Sequence, residues 1–247
     1  MDAGDAALLL AGGLAAGIVN TLAGGGSLLT VPLLVLTGLP GTVANGTNRV
    51  GVMIQNGVAA WGFRAQGVSG LSGALPVLAP VAAGALLGAG VASRLSDAAF
   101  ERAFGVLMLV LLVPTLRRPR PPSPGETPRA LPPLARGLIF LAIGLYGGAF
   151  QAGVGILLIF ALSYSGLDLV RTNSIKVVVN FCFTLLAIPV FMAAGQIAWS
   201  EACVLGLGFA AGGLLGSRLA VRGGERLIRP VLAVAVLALA GRMVGLY

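Results

Sequence analysis

The sequence Asn20-Thr21-Leu22-Ala23-Gly24-Gly25-Gly26-Ser27 interrupts an otherwise hydrophobic stretch that runs from Ala6 to Leu36. Three consecutive glycines offer no side chains for packing and accept backbone angles that other residues avoid. The pattern therefore predicts one helix that ends near Asn20 and a second that begins near Ser27. Because the flanking segments are too apolar for water, we expect the break within a bilayer, where irregular backbone is tolerated only beside protein or a polar cavity. Breaks of this kind mark binding sites in many transporters.

The composition is that of an integral membrane protein. Of the 247 residues, 57% are hydrophobic and only 10% are charged, whereas a soluble domain carries roughly 25% charged residues. The 38 glycines favour close packing of helices in lipid. A net charge of +8 would suggest nucleic acid as the partner of a soluble protein. Here the basic residues lie mostly between apolar stretches and act as topology signals, so we expect the lipid bilayer as a partner and no nucleic acid.

The chain has no histidine, which excludes histidine metal ligands, histidine bases and Ser-His catalysis. Its carboxylates all fall at the edges of apolar stretches or between them, so none is a strong candidate for carrying protons or sodium near the midplane. The one nucleophile–base pair that the sequence leaves open is Ser174 with Lys176. We therefore predict a protein that is not an enzyme and that holds no metal and no cofactor.

The two cysteines and the N-terminus carry no special chemistry in this interpretation. Cys182 and Cys203 lie within apolar stretches, and we interpret both as packing residues of the core rather than as a disulfide. Asp2 and Asp5 precede the first apolar stretch, where a signal peptide would have basic residues, so we expect no cleaved signal peptide.

The sequence contains an internal duplication around a Pro- and Arg-rich linker. Gly24 and Gly26 recur as Gly153 and Gly155, and further matched pairs follow in the same order. The predicted domains are an N-terminal membrane repeat over 1–116, a cytoplasmic linker over 117–136 and a C-terminal membrane repeat over 137–247. The predicted apolar segments are 6–22, 27–38, 47–63, 71–93 and 99–116 in the first repeat, and 137–150, 156–167, 173–195, 199–221 and 227–246 in the second.

The segment 27–38 is too short to cross about 30 Å of hydrocarbon at about 1.5 Å per residue. We therefore predict an all-α membrane protein with two inverted repeats, each a re-entrant or broken helical hairpin plus three transmembrane helices. The alternative, in which each broken stretch crosses once, gives parallel repeats. The positive-inside rule favours inversion with both termini outside. The basic residues left outside in that arrangement, out of 16, are Arg49, Arg94, Arg102 and Arg242.

Several glycine-rich motifs resemble those of one transporter family. The motifs are Gly24-Gly25-Gly26, Leu28 to Leu34, Gly38-Leu39-Pro40, Ala44 to Asn48 and Ala211 to Leu219. Together and in this order they resemble the TauE/SafE family of sulfite and organosulfonate transporters, also called DUF81 or the toluene sulfonate uptake permease family. The resemblance implies a small sulfur-containing anion as the substrate, commonly moved by efflux. The second half departs from the family pattern, since Val154 interrupts its glycine-rich signature and Gln151 adds an amide.

An anion that leaves water needs positive potential and hydrogen-bond donors, and both halves offer them near the breaks. Helix N-termini near Ser27 and Ile156 supply backbone amides. The predicted substrate-binding residues are Asn20, Thr21, Gly24, Gly25, Gly26, Ser27, Asn48 and Arg49 in the first half, and Gln151, Gly153, Gly155, Asn173, Ser174 and Lys176 in the second. Alternatives stay open: Asn48 and Asn173 as helix caps or interhelical contacts, and Arg49 and Lys176 as side chains that reach the interface.

Three further amides within apolar stretches, Gln55, Asn56 and Asn180, are interpreted as interhelical hydrogen-bonding groups rather than ligands. The leading functional hypothesis is a multi-pass secondary transporter of the inner (plasma) membrane, an exporter of sulfite or an organosulfonate. Its site would lie between the two hairpin tips, with alternating access around it. The alternative is an anion channel or uniporter without ion coupling. The identity of the anion, the direction of transport and association into a homo-oligomer are left open by the sequence.

Overall fold

The computed structural model describes residues 1–116, 132–163 and 167–223, and in these ranges the chain is all helical. The helices are α1 (Ala3–Ala23), α2 (Ser27–Leu36), α3 (Gly41–Ala65), α4 (Leu71–Ala92), α5 (Asp97–Leu116), α6 (Pro133–Phe150), α7 (Val154–Ser163), α8 (Leu169–Ala193) and α9 (Trp199–Val221). The predicted helix at 227–246 and most of the predicted linker lie outside the described residues.

The first break has the predicted form. Helix α1 begins with a capping box between Asp2 and Asp5 and ends at Gly24, which adopts a left-handed conformation with φ 83°. The amide of Gly24 donates to the carbonyl of Asn20 at 2.9 Å, and α2 then begins at Ser27 as predicted. A residue with a side chain is strained at this φ, so glycine is the natural residue for the end of this helix.

The second break uses a different residue. Helix α6 ends at Gln151, whose φ of 61° makes it the one non-glycine residue with positive φ among the described ranges. Helix α7 follows at Val154, two residues before the predicted start. The start of α6 at Pro133 shows that the predicted linker 117–136 extends too far. Proline at the first helical position has the right φ and lacks only an amide that would be unpaired anyway.

Helices α3 and α8 begin earlier than the predicted positions 47 and 173. Helix α3 begins at Gly41 after Pro40, and α8 begins after Asp168, whose side chain accepts from the amide of Arg171 at 2.9 Å. Asn48 and Asn173 therefore lie inside helices, and the interpretation of these two residues as helix caps is wrong. Polar residues in the first turns resembled a loop in the sequence, but they are buried against other helices.

Packing between the halves is reciprocal. Helix α1 packs on α9, and α6 packs on α4, so each half places its first helix against a later helix of the other half. Small residues allow these contacts: a methyl group added at Gly17 would lie 2.9 Å from the Cα atom of Gly212, and one at Gly148 would lie 2.6 Å from that of Ala85. Such close approach of backbones is typical of helix packing in membranes.

Contacts along these helices give their relative directions. In the α1–α9 pair, Gly13 contacts Phe209 and Thr21 contacts Gly216, so residue numbers rise together and the helices are parallel. Helices α4 and α6 are parallel by the same criterion, since Gly144 contacts Val81 and Gly148 contacts Ala85. Helix α2 runs back along α1, because Gly26 contacts Ala16 whereas Leu33 reaches Gly12. The α1–α2 pair is thus a hairpin, as the sequence predicts.

The central helices α3 and α8 are antiparallel. Gly46, near the start of α3, contacts Gln196 after the end of α8, and Gly57 contacts Phe181 midway along α8. At the other end, the hydroxyl of Ser174 faces the carbonyl of Val68 at 3.4 Å. The equivalent helices of the two halves therefore run in opposite directions. These directions support the predicted inversion of the repeats, and the orientation of the fold in the membrane stays a prediction.

Five of the described helices, α1, α4, α6, α8 and α9, are long and apolar enough to cross a membrane.

The environment of Cys203 differs from the prediction. Both cysteines are free, Cys182 is half-buried and Cys203 is exposed on α9, so the interpretation of Cys203 as a core residue is wrong. An apolar residue of a membrane helix can face lipid as well as protein, and an apolar stretch alone does not separate the two.

Candidate functional site

The two helix breaks meet. A methyl group added at Gly24 would lie 2.5 Å from the Cα atom of Gly155, and one at Gly155 would lie 2.5 Å from the Cα atom of Gly24. Only residues without a side chain allow this approach, because real Cβ atoms do not come this close to backbone atoms. The tips of the α1–α2 and α6–α7 hairpins, which the sequence places far apart, are thus in backbone contact.

All fourteen predicted site residues are buried. Most lie at the two tips or on the parts of α3 and α8 that face them. Ser174 is the exception, since its hydroxyl contacts Val68 in the α3–α4 connection rather than a tip. Ser174 and Lys176, two positions apart on a helix, also point in different directions. The structure therefore does not form the Ser–Lys pair that an enzyme would need.

Lys176 binds the end of α1 from the opposite half of the protein. Its Nζ atom donates to the carbonyl of Asn20 at 2.9 Å, to the carbonyl of Thr21 at 2.8 Å and to Oδ1 of Asn173 at 2.7 Å. The Nδ2 atom of Asn173 in turn donates to the carbonyl of Leu22 at 3.3 Å. The last carbonyls of a helix lack partners within it and form the negative end of its dipole, so a buried cation is well placed here.

Arg49 likewise donates to carbonyls at the end of α6, a helix of the other half. Its Nη1 atom donates to the carbonyl of Gly147 at 3.1 Å, and its Nη2 atom donates to the carbonyl of Gly148 at 2.6 Å. Asn45, one turn earlier on α3, donates from Nδ2 to the carbonyl of Ala149 at 2.9 Å. Each half thus supplies an amide and a cation that bind three successive carbonyls of the other half. We call these the α1 clamp (Asn173 and Lys176) and the α6 clamp (Asn45 and Arg49).

The two clamps are similar in space but not in sequence position. The duplication aligns Thr47-Asn48 with Thr172-Asn173, so Arg49 aligns with Ser174 rather than with Lys176. The α6 clamp has its amide and cation four residues apart, and the α1 clamp has them three apart. Both spacings place the two side chains on one helix face. The α6 clamp residue Asn45 was missed by the sequence analysis, although its spacing from Arg49 was a usable signal.

Arg49 has only neutral contacts among the described residues. Besides the two carbonyls, Nη1 donates to Oε1 of Gln151 at 3.0 Å, and the guanidinium lies 4.4 Å from the ring centroid of Phe191. The Nε atom has no hydrogen-bond partner although the side chain is fully buried. A buried cation without a nearby anion is costly, so this position is electrostatically suited to a negative ligand.

Amide side chains bind each tip to the central helix of its own half. In the first half, Asn20 donates to Gln55 at 2.6 Å, and Gln55 donates to the hydroxyl of Thr21 at 2.6 Å. Gln55 was interpreted as an interhelical group in the sequence, and its contacts confirm that interpretation. It belongs to the tip structure because it fixes two predicted site residues.

The second half has an equivalent arrangement. Gln151 donates from Nε2 to Asn180 at 3.0 Å and to Thr184 at 3.2 Å, while its Oε1 atom accepts from Arg49. Three contacts of one side chain explain why a glutamine occupies a left-handed position that favours glycine. Asn180 therefore supports a site residue, and Thr184 was missed because a threonine in an apolar stretch gives no distinct signal.

The start of α2 is held by its own half. Asn48 donates to the hydroxyl of Ser27 at 3.0 Å and accepts from the hydroxyl of Thr30 at 2.5 Å. Thr30 was also missed by the sequence analysis. Asn48 is thus an interhelical contact of α3 with α2, one of the alternatives that the sequence left open. Within the described ranges, Asn56 donates only to the carbonyl of Val52 in its own helix.

Backbone amides at both tips lack acceptors. In the described part of the chain, the N–H groups of Gly25 and Ser27 in the first tip and of Gly153 and Gly155 in the second donate to no carbonyl or side chain. The four residues are buried. Unpaired amides at a helix start, close to buried cations, form the kind of environment that binds anions.

Comparison with known proteins identifies the family. The family model described as sulfite exporter TauE/SafE matches residues 9–243. A probable membrane transporter protein, ORF9, from Sinorhizobium sp. is 27% identical over 97% of this chain and 92% of its own length. A probable membrane transporter protein from Haemophilus influenzae is 28% identical over 96% of this chain and 94% of its own length. The family and these relatives are named as transporters, not enzymes. No solved structure matches the chain significantly.

Proposed function

The chain belongs to the sulfite exporter TauE/SafE family and is a multi-pass membrane transporter, and on that premise we propose that it exports a small sulfur-containing anion such as sulfite or an organosulfonate. We further propose that the anion binds where the two hairpin tips meet, among those predicted site residues that lie at the tips or on the facing parts of α3 and α8. The membrane would be the inner (plasma) membrane.

The observation that carries this proposal is the environment of Arg49. The cation is buried at the end of α6, all its contacts among the described residues are neutral, and one nitrogen has no partner. The Coulomb attraction of an anion to such a group is several times stronger in a protein interior than in water. An anionic substrate would therefore supply the negative charge that Arg49 lacks in its surroundings.

The unpaired tip amides support the same conclusion. An oxyanion that enters the membrane loses its hydration shell and must receive equivalent hydrogen bonds from protein. The N–H groups of Ser27 and Gly155 lie in the first turns of α2 and α7, so the helix dipoles also favour a negative ligand. Backbone donors and a cation together suit a sulfonate or sulfite headgroup, whose charge is spread over several oxygens.

We propose alternating access between the two halves as the transport mechanism. Each tip is bound to its own half by amide side chains and to the other half by a clamp. If the repeats are inverted, movement of one half relative to the other would open the tips to one face and then to the opposite face. The proposed ligands are all buried in the described conformation, as expected of an occluded state between two open ones.

A second candidate, an anion uniporter or channel without ion coupling, is favoured by a separate observation. The buried polar and charged residues of the described ranges include no aspartate and no glutamate. Proton- and sodium-coupled transporters commonly use an intramembrane carboxylate. Coupled transport in this protein would therefore need another group, whereas simple electrogenic movement of the anion would not.

Reconstitution into liposomes tests both candidates. Vesicles loaded with sulfite, an organosulfonate or a carboxylate of similar size are diluted into anion-free buffer, and efflux is followed with and without imposed pH and sodium gradients. We expect saturable, protein-dependent efflux of at least one sulfur oxyanion. Efflux indifferent to both gradients but driven by membrane potential would select the uniporter, and efflux of the carboxylate alone would reject the proposed substrate class.

A further inference from the structure

The two clamps differ in how many of their hydrogen-bond donors are used. The number of free donors indicates which of the two cations can bind the anion. In the α1 clamp, the ammonium of Lys176 offers three N–H donors, and three oxygens lie within 2.9 Å of Nζ. Every one of its donors thus has an acceptor before any anion arrives. An anion could bind Lys176 directly only by displacing a carbonyl of α1 or the side chain of Asn173.

The α6 clamp has donors left over. A guanidinium offers five N–H donors, and Arg49 uses two on Nη1 and one on Nη2. Nε donates to no group in the ranges that the structure describes. Two N–H groups therefore remain, one on Nε and one on Nη2, which are neighbouring nitrogens of the guanidinium. Two donors side by side match two oxygens bound to a single atom, as in a sulfonate, sulfite or carboxylate group.

The plane of this guanidinium is fixed on its other sides. Gln151 and Gly147 occupy Nη1, and the ring of Phe191 lies at 4.4 Å from the central carbon. Gln151 is itself held by Asn180 and Thr184. Arg49 therefore cannot rotate freely, and the Nε–Nη2 edge keeps its direction. A preorganised fork of this kind gives geometric selectivity as well as attraction.

We propose that the transported oxyanion binds side-on to the Nε and Nη2 atoms of Arg49, and that Lys176 fixes the end of α1 without contacting the anion. This inference rests on the proposed function and assigns the two halves different roles. It also names the ligand chemistry: an anion with at least two oxygens on one atom. A halide ion has only one acceptor atom, so it cannot form two parallel hydrogen bonds to this edge.

The test measures sulfite and chloride binding by calorimetry on the purified full-length protein. Arg49→Lys keeps a cation that can bind the α6 carbonyls but loses the fork. Arg64→Lys is the matched control, because it makes the same substitution on the same helix at an exposed position. Lys176→Gln removes the other cation and keeps two donors for the carbonyls of α1. Thermal unfolding of each variant verifies that it is folded.

We expect wild type and Arg64→Lys to bind sulfite equally and more tightly than chloride. Arg49→Lys should lose about tenfold or more in sulfite affinity, as for a charge-assisted hydrogen bond, and little in chloride affinity, so its selectivity disappears. Lys176→Gln should unfold at a lower temperature and keep the selectivity for sulfite over chloride. Equal loss of selectivity in both variants, or none in Arg49→Lys, would overturn the inference alone. Absence of sulfite binding by wild type would overturn the proposed function with it.

Discussion

Gly24 and Gly155 belong to opposite halves of the chain, yet their backbones touch so closely that a methyl group on either would overlap the other. This contact brings two helix breaks together in the protein interior, next to two buried cations. It also explains why glycine recurs at these positions, since no other residue permits the approach. The function proposed for the protein depends on this meeting point.

The contact between Gly24 and Gly155 predicts that Gly24→Ala destabilises the protein more than either Gly38→Ala or Gly155→Ala does. Gly24→Ala should cost roughly 1–2 kcal/mol for the left-handed backbone and about 1–3 kcal/mol more for the forced separation of the tips. Gly38→Ala is the control, because Gly38 has φ 91° but nothing within 4 Å of an added methyl group. Gly155→Ala isolates the overlap, since Gly155 has no positive φ. Denaturant titrations would measure the three values. A Gly24→Ala cost no larger than that of Gly38→Ala would show that the tips separate freely.

Larger side chains at the breaks are expected to stop transport. Gly25→Leu and Gly153→Leu place a branched side chain among buried residues beside the proposed ligands, so each should fill the site in a protein that still folds. Efflux from liposomes measures the effect, and size-exclusion profiles check that the variants are intact. If both variants transport normally, the breaks are not part of the site.

A carboxylate placed at the second break should compete with the substrate. Oε1 of Gln151 lies 3.0 Å from Nη1 of Arg49, so Gln151→Glu is expected to form a buried ion pair and neutralise the cation. We predict at least a tenfold loss of sulfite affinity, corresponding to about 1.4 kcal/mol. Gln151→Gly removes the same hydrogen bond to Arg49 without adding a charge, so a smaller loss of affinity in this variant isolates the effect of the carboxylate. Sulfite binding by Gln151→Glu at wild-type affinity would show that the charge on Arg49 is not used.

Asn45 should contribute to stability through the other half of the protein. Asn45→Ala leaves the buried carbonyl of Ala149 without its donor, which costs about 1–3 kcal/mol. Asn56→Ala is a matched control on the same helix. Both side chains have an unpaired Oδ1 atom, but among the described residues Asn56 donates only within α3, so its loss should be nearly neutral. Similar destabilisation by the two substitutions, measured as unfolding midpoints, would argue against the α6 clamp.

The relative directions of α3 and α8 predict which loops share a membrane face. The carbonyl of Ser93 accepts from Gln196 at 3.1 Å, so the connections after α4 and after α8 are neighbours. In a background without Cys182 and Cys203, Ser96→Cys and Ala194→Cys should react with an impermeant reagent from outside. Ser69→Cys should react only from the cytoplasmic side. If the repeats were parallel, positions 96 and 194 would lie on opposite faces of the membrane, and their cysteines would react from opposite sides.

The sequence predicted the broken hairpins well because glycine triplets and apolar length have direct physical consequences. It predicted the starts of α3 and α8 poorly, because Thr42, Asn45 and Thr47 resemble a loop unless their burial is known. The contacts of Arg49 and Lys176 with the opposite half of the protein could not be predicted from the sequence. Both cations were candidates, but which carbonyls they bind depends on how the halves pack. Because both side chains are buried, Arg49 and Lys176 should not be counted among the basic residues that indicate membrane topology.

The central claim is that a sulfur oxyanion binds beside Arg49 where the hairpin tips meet, and anomalous diffraction tests it most directly. Selenite has the shape and charge distribution of sulfite, and selenium gives a locatable anomalous signal. Crystals of the protein grown with selenite should show a selenium peak within hydrogen-bonding reach of Nε and Nη2 of Arg49. A selenium peak elsewhere in the protein, with none at the tips, would contradict the account.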